Sequence, residues 1–122
     1  MTDMVNHPPH YQHHPVFHGE CFDIAGQCTF TAGNAIKYLW RHAEKDNPRL
    51  DMEKARWYIA RTTSVWSCGR DDTLVNNLVD DLLEHADRAG EAEEAIVQIL
   101  EGDLINAAAL VDVLLAREVT NE

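Results

Sequence analysis

The chain has 122 residues, a formal net charge of −11 and an apolar content of 45%. This length and composition predict one globular domain with a modest core. The longest apolar runs fall short of the roughly 18 residues that a membrane-spanning helix needs, and the acidic balance argues against general binding to nucleic acid. The N-terminus lacks a basic region followed by an apolar block, and the three cysteines form no CxxC pair. We therefore expect a cytoplasmic protein with reduced thiols.

The charges are segregated along the sequence. Residues 34–61 contain seven Lys and Arg against four Asp and Glu, whereas residues 71–122 contain two Lys and Arg against fourteen Asp and Glu. A basic island in an acidic protein suits a small anion better than a long polyanion, because the acidic remainder would repel the polyanion.

Residues 1–20 predict an extended arm. Three prolines and a glycine within this segment disfavour regular structure. The arm also carries five histidines. His7 and His10 match no closed zinc pattern, so we expect them to donate hydrogen bonds to a ligand or to the fold. We expect His13 and His14 to lie at the surface.

The next segment predicts a short helix followed by a longer amphipathic one. Apolar side chains at helical spacing indicate a helix from Glu20 to about Phe30. A second helix is predicted from Thr31 or Gly33 to about Glu44. Its apolar face consists of Ile36, Leu39, Trp40 and Ala43, and its polar face of Asn34, Lys37, Tyr38, Arg41 and Lys45.

A third helix is predicted from Asp51, as the N-cap, to about Trp66. Its apolar side consists of Met52, Ala55, Ile59 and Trp66, and its polar side of Lys54, Trp57 and Arg61. This repeats the pattern of the preceding helix, in which a basic face carries an aromatic residue. The short connection between the two favours an antiparallel helix pair.

The acidic part predicts three further helices. They run from Asp71 or Asp72 to before Gly90, from Glu91 to Leu100, and from Asp103 to Ala116. In the first of them, buried positions are predicted at Leu74, Val75, Leu78, Val79, Leu82 and Leu83, and a solvated acidic face at Asp80, Asp81, Glu84 and Asp87. Few stretches alternate as a strand does, so the predicted fold class is all-α, a small helical domain with a Pro/His-rich N-terminal arm. We divide it into a core, residues 1–66, and an acidic helical tail, residues 71–122, which packs on the core or forms an oligomer interface.

The basic faces have the chemistry of a phosphate site. Arg binds phosphate oxygens in a bidentate way, and Lys binds them as a point charge. Asn34 is expected in the first turn of its helix, where free backbone N–H groups and the helix dipole favour an anion. Gly33 would permit close approach of a ligand. The alternative is the ordinary solvated face of an amphipathic helix.

Two aromatic residues and two acidic residues complete the candidate site. Tyr38 and Trp57 lie on polar helix faces, where they could stack on a nucleobase or pack against another subunit or the N-terminal arm. Glu20 and Asp23, one turn apart, are candidate ligands for a Mg²⁺ that bridges phosphates. One of them could instead accept a proton, or both could be ordinary acids at a helix start. The sequence contains neither a GxxxxGK[ST] loop nor a GxGxxG motif.

Four strings occur in order over residues 6–61: NHPPHY, GEC-D-I, GNAIKYLWR and D-EKARWYI. In these strings the chain resembles a family of short phage proteins that is known mainly as a domain of unknown function. A characterised relative in that family is a phage nucleotide kinase, which phosphorylates deoxynucleoside monophosphates and lacks a Walker motif. The resemblance implies a nucleotide-binding protein that transfers a phosphoryl group to a (deoxy)nucleoside monophosphate, with ATP or another phosphate donor and with Mg²⁺ as a possible companion.

On this hypothesis the candidate catalytic residues are Lys37, Arg41 and His10. The candidate ligand-binding residues are Asn6, His7, Tyr11, Asn34, Tyr38, Lys45, Lys54 and Trp57. Lys37, Arg41 and Lys54 would neutralise phosphates, Asn34 would orient one of them, and the arm would close the site. A site on one face of two short helices is shallow, so we expect a homo-oligomer in which a second subunit deepens it.

Three alternatives remain open. A non-catalytic protein that sequesters a nucleotide would use the same cations without turnover. An acidic helical protein that binds a host factor would depend on the tail instead. An all-α nucleotide pyrophosphohydrolase would use carboxylates of the tail, but it would need ExxE-type pairs on two facing helices, and the sequence does not offer two such motifs.

Overall fold

The computed structural model describes residues 14–42 and 48–120, with side chains up to residue 117. These residues form six helices, and no strand occurs among them. The helices are α1 (Cys21–Ala25), α2 (Phe30–Arg41), α3 (Pro48–Ala60), α4 (Asp72–Glu84), α5 (Glu91–Leu100) and α6 (Leu104–Thr120). The all-α prediction is therefore confirmed. No helix in these ranges is long and apolar enough to cross a membrane.

The core lies between two helix pairs. α2 packs against α3 and α5 against α6, and the pairs meet where α3 contacts α6 and α2 contacts α5. The predicted apolar faces supply the buried residues: Ile36, Leu39 and Trp40 from α2, and Met52, Ala55 and Ile59 from α3. The acidic half of the chain thus completes the core beneath the basic faces of α2 and α3.

α2 begins earlier than the sequence predicted. The Thr29 side chain accepts a hydrogen bond from the Ala32 backbone N–H and caps the helix at its N-terminus. The absence of a side chain at Gly33 lets α1 approach α2 closely, because a Cβ there would lie 2.9 Å from the Ala25 carbonyl oxygen. The ligand contact expected at Gly33 stays a prediction.

α3 ends at Ala60, six residues before the predicted end. The chain beyond it runs alongside residues 27–29, where Thr29 N–H donates to the Val65 carbonyl and Ser67 N–H to the Gln27 carbonyl. Trp66 forms an isolated bridge with Cys28, and its indole N–H donates to the Leu100 carbonyl at 3.0 Å. Trp66 therefore joins the α1–α2 connection to the end of α5.

Three residues differ in burial from the prediction. The His14 side chain is inaccessible, and its ring packs on Phe17 and Trp40 with centroid distances of 5.1 and 4.7 Å. Asp81, predicted on a solvated face, is buried and bonds to His18. Leu83, predicted to be buried, is 73% exposed.

Candidate functional site

Three positive side chains surround one tyrosine on the face that α2 and α3 share. Lys37 Nζ lies 4.7 Å, Lys54 Nζ 5.3 Å and the Arg41 guanidinium carbon 5.9 Å from the centroid of the Tyr38 ring. Lys37, Tyr38 and Arg41 come from one side of α2, and Lys54 comes from the adjacent part of α3. We call these four residues the Tyr38 cluster. The structure thus brings together three cations that the sequence had assigned to one site.

The cations of the Tyr38 cluster differ from most other cations in the described residues. Elsewhere the pairs are Arg49–Glu53, Arg56–Asp112, Arg70–Asp72, Arg88–Asp87 and Arg117–Glu91. Within residues 14–42 and 48–117, neither Lys37, Arg41 nor Lys54 forms an ion pair with a carboxylate. Arg41 Nε is also buried, and it has no hydrogen-bond partner in the part of the chain that the structure describes. Like charges so close together repel each other, so an anion placed among them would be stabilised.

Further aromatic rings extend the Tyr38 cluster. Tyr58 stacks nearly parallel to Tyr38, with centroids 6.1 Å apart and an interplanar angle of 12°. Phe30 and Trp57 both meet the Tyr58 ring edge-on. Neither Tyr58 nor Phe30 is among the ligand-binding residues predicted from the sequence. The signal that pointed to Tyr58 is its place in the D-EKARWYI string, next to Trp57.

The structure changes the expected role of Asn34. The N-cap is Thr29, so Asn34 lies in the second turn of α2, beyond the free N–H groups of the helix start. The prediction that it stands among those free donors is therefore wrong. Its side-chain Nδ2 donates to the Phe30 carbonyl at 2.8 Å. This hydrogen bond fixes the amide and leaves Oδ1 as its acceptor.

A cleft between α1 and α2 adjoins the Tyr38 cluster, and we call it the α1–α2 cleft. It has a volume of about 300 Å³, and it is lined mainly by apolar groups. Phe22 and Phe30 stand at its rim with 76% and 74% of their surface exposed. Asn34 and Lys37 line it as well. Lys37 therefore belongs to both the cleft and the Tyr38 cluster.

Two cysteines line the same cleft. Burial raises the pKa of the Cys21 thiol to about 12, against a smaller opposing effect of the Lys37 charge. Burial likewise raises the pKa of Cys28 to about 11, and its thiol donates to the Ile24 carbonyl. Both thiols are therefore protonated at neutral pH, which makes them poor nucleophiles.

The acidic candidates Glu20 and Asp23 lie on another side of α1. They line a second cleft, of about 410 Å³, together with Asp80 and Asp81 from α4. Asp23 also accepts a hydrogen bond from the Glu20 backbone N–H and so closes a capping box at the start of α1. Within the described residues no group of three or more His, Cys, Asp and Glu side chains is arranged to hold a metal ion.

The other candidates are distributed as follows. Trp57 is about half exposed, and the Arg61 guanidinium carbon lies 3.6 Å from its ring centroid. The candidates Asn6, His7, His10, Tyr11 and Lys45 lie outside the residues that the structure describes. Their place relative to the Tyr38 cluster stays a prediction.

No curated protein and no solved structure matches the chain significantly. A sequence model does match residues 5–60, a segment that includes α1, α2, α3 and the whole Tyr38 cluster. The similarity is to a family described as a protein of unknown function (DUF3310).

Proposed function

We propose that this protein binds a nucleotide through the Tyr38 cluster and transfers a phosphoryl group to a (deoxy)nucleoside monophosphate. The observation that supports the proposal is the convergence of Lys37, Arg41 and Lys54 on one ring, while no carboxylate of the described residues forms an ion pair with them. In a chain with a net charge of −11, carboxylates are abundant, and five other arginines of the described residues are paired with them. Three unpaired cations on one face are therefore best explained by an anion that they bind.

The scale of the Tyr38 cluster favours a small phosphate compound. Three positive charges that lie 4.7 to 5.9 Å from one ring centroid match the two or three charges of a mono- or diphosphate. A polynucleotide would have to approach the acidic helices α4 and α5 as well, and their charge would repel it. This agrees with the expectation that nucleic acid is not a partner.

The proposed reaction needs positioning and charge neutralisation rather than a covalent protein intermediate. An oxygen of the bound monophosphate attacks the γ-phosphorus of ATP. The bond from that phosphorus to the β–γ bridging oxygen breaks, and ADP leaves with the electron pair. Lys37 and Arg41 would stabilise the charge on the transferred group, and Lys54 would hold the acceptor phosphate. His10 and His7 would close the site from the arm, and Mg²⁺ would enter with ATP.

Calorimetry of the intact chain with dAMP, dGMP, dCMP and dTMP tests the binding step. Lys54→Ala should lower the affinity for the nucleotide about tenfold or more, since a hydrogen bond to a charged group contributes about 1.5–3 kcal/mol. Arg56→Ala is the matched control, because Arg56 lies on the same helix but pairs with Asp112 at 2.9 Å. Equal effects of the two substitutions, or no binding by the unaltered chain, would refute the proposal.

Turnover is tested separately, by incubating each monophosphate with ATP and Mg²⁺ and measuring diphosphate. Binding without turnover is the second candidate function, that of a protein that sequesters a nucleotide. It is favoured by the same unpaired cations, which bind an anion whether or not transfer follows. Product in excess of the protein supports transfer, whereas stoichiometric binding without product supports sequestration.

The proposed homo-oligomer is tested by light scattering of the same sample.

A further inference from the structure

The aromatic rings first expected to stack on a nucleobase are already partly covered by other side chains. One face of Trp57 carries the Arg61 guanidinium at 3.6 Å. Tyr38 is stacked on Tyr58, and it is approached by the three cations of the Tyr38 cluster. A phosphate bound among those cations would further obstruct the Tyr38 ring. A surface with more uncovered aromatic area would therefore suit the base of the same nucleotide better.

The α1–α2 cleft provides that surface next to the cations. Its volume of about 300 Å³ lies at the lower end of the range for small-molecule sites, which suits one flat ring system. Phe22 and Phe30 form its rim, and the Phe22 ring lies over Gly26, 3.3 Å from where a Cβ of that glycine would be. Two large aromatic side chains that remain mostly exposed at one opening are available to contact a planar ligand.

We propose that the α1–α2 cleft binds the nucleobase of the nucleotide whose phosphate lies in the Tyr38 cluster. This inference rests on the proposed function, and it adds the orientation of the ligand. Lys37 lines the cleft and also approaches the Tyr38 ring, so it stands where base and phosphate ends meet. The base lies between Phe22 and Phe30, and the sugar passes Lys37.

The polarity of the cleft supports this orientation. Its two thiols are neutral, because burial raises the pKa values of Cys21 and Cys28 far above 7. Among the described residues that line the cleft, Lys37 is the only one with a charged side chain. A phosphate inside the cleft would lose its hydrating water and would gain contact with one cation, Lys37. A base is uncharged, so moving it out of water into the cleft would cost much less free energy. Asn34 Oδ1, left free by the bond from Nδ2 to Phe30, can accept a hydrogen bond from a ring or amino N–H of the base.

The test compares two probes, a mononucleotide and inorganic pyrophosphate, on variants of the intact chain. Phe22→Ala should weaken the tightest-binding of dAMP, dGMP, dCMP and dTMP about fivefold or more, since base stacking on an aromatic ring has that order of effect. Binding of pyrophosphate, which has no base, should change less than twofold. Ile105→Ala on α6 is the matched control, because Ile105 is an exposed apolar residue at 87% exposure and lies outside the cleft.

A second measurement uses the unaltered chain, so it does not depend on whether a variant folds. Amide resonances of Ala25, Gly26 and Gly33, which line the cleft, should shift on titration with the mononucleotide and stay in place with pyrophosphate. Nucleotide affinity unchanged in Phe22→Ala, or cleft amides that do not respond to the nucleotide, would overturn the inference. The proposed function has its own readout, since loss of pyrophosphate binding in Lys54→Ala supports the phosphate site whatever happens at the cleft.

Discussion

Acidification should destabilise the protein through His14, which is buried in its neutral form. The His14 side chain is inaccessible, and burial lowers its pKa to about 4. The backbone N–H groups of Val16 and Phe17 donate to Nδ1 at 3.0 and 3.2 Å. An Nδ1 that accepts these bonds cannot carry a proton, so the ring proton lies on Nε2.

The sign and size of the effect follow from linkage. The folded-state pKa of His14 is below that of the unfolded chain, so the contribution to stability is complete above pH 6.5 and declines as the pH falls. Between pH 6.5 and 4 the unfolded chain takes up a proton that the folded chain refuses. With an unfolded pKa of about 6.5, this lowers the free energy of unfolding by about 2 kcal/mol at pH 5 and about 3 kcal/mol at pH 4.

His14→Asn isolates this contribution. An Asn side-chain oxygen can accept from the N–H groups two and three residues ahead, as Nδ1 of His14 does, but it does not titrate. The variant should be less stable at pH 7.5, because the ring contacts with Phe17 and Trp40 are lost.

Urea unfolding of both proteins from pH 7.5 to 5 should then show the unaltered chain losing about 2 kcal/mol more than the variant. Parallel losses in the two proteins, or a His14 resonance that titrates near pH 6.5, would refute the reasoning.

Two further predictions concern the first helix and its surroundings. The hydrogen bond and charge of Asp81 raise the pKa of His18, so the stabilisation is complete below pH 6.5 and is lost as the pH rises through the raised value. Thermal melts between pH 6 and 9 should show this loss in the unaltered chain and a flatter profile in Asp81→Asn, and equal slopes would count against the link. With iodoacetamide, exposed Cys68 should react first and Cys21 and Cys28 only on unfolding, because the latter are buried with raised pKa values; mass spectrometry of timed samples decides the order.

Helix positions and core faces could be predicted where apolar spacing was regular and a breaker stood at each end. α5 begins and ends at the predicted residues, since Gly90 precedes it and Gly102 follows it. The buried face of α2 was predicted for the same reason. The end of α3 was not, because Trp66 continues the helical spacing while the backbone there bonds to residues 27–29. Nothing in a local pattern reports a partner that is almost 40 residues away.

The site could be predicted in its charges but not in its shape. Helical spacing placed Lys37, Tyr38 and Arg41 on one face, and the short α2–α3 connection placed Lys54 beside them. The α1–α2 cleft depends instead on the close approach of α1 at Gly33, where the sequence predicted a ligand contact. His14 was misplaced for a similar reason, since a histidine in a polar segment gives no sign that tertiary contacts bury it.

The contact between the two helix pairs has a consequence for how the protein can be divided. The basic helices α2 and α3 lie in the first half of the chain, but α5 and α6, which pack against them, lie in the second half. The Trp66 indole N–H also donates to the Leu100 carbonyl at the end of α5. A fragment that ends before α5 would lose this packing and would expose part of the core around Trp40 and Met52, which are fully buried in the intact fold. The basic face of α2 and α3 is therefore expected to need the acidic half of the chain to keep its shape.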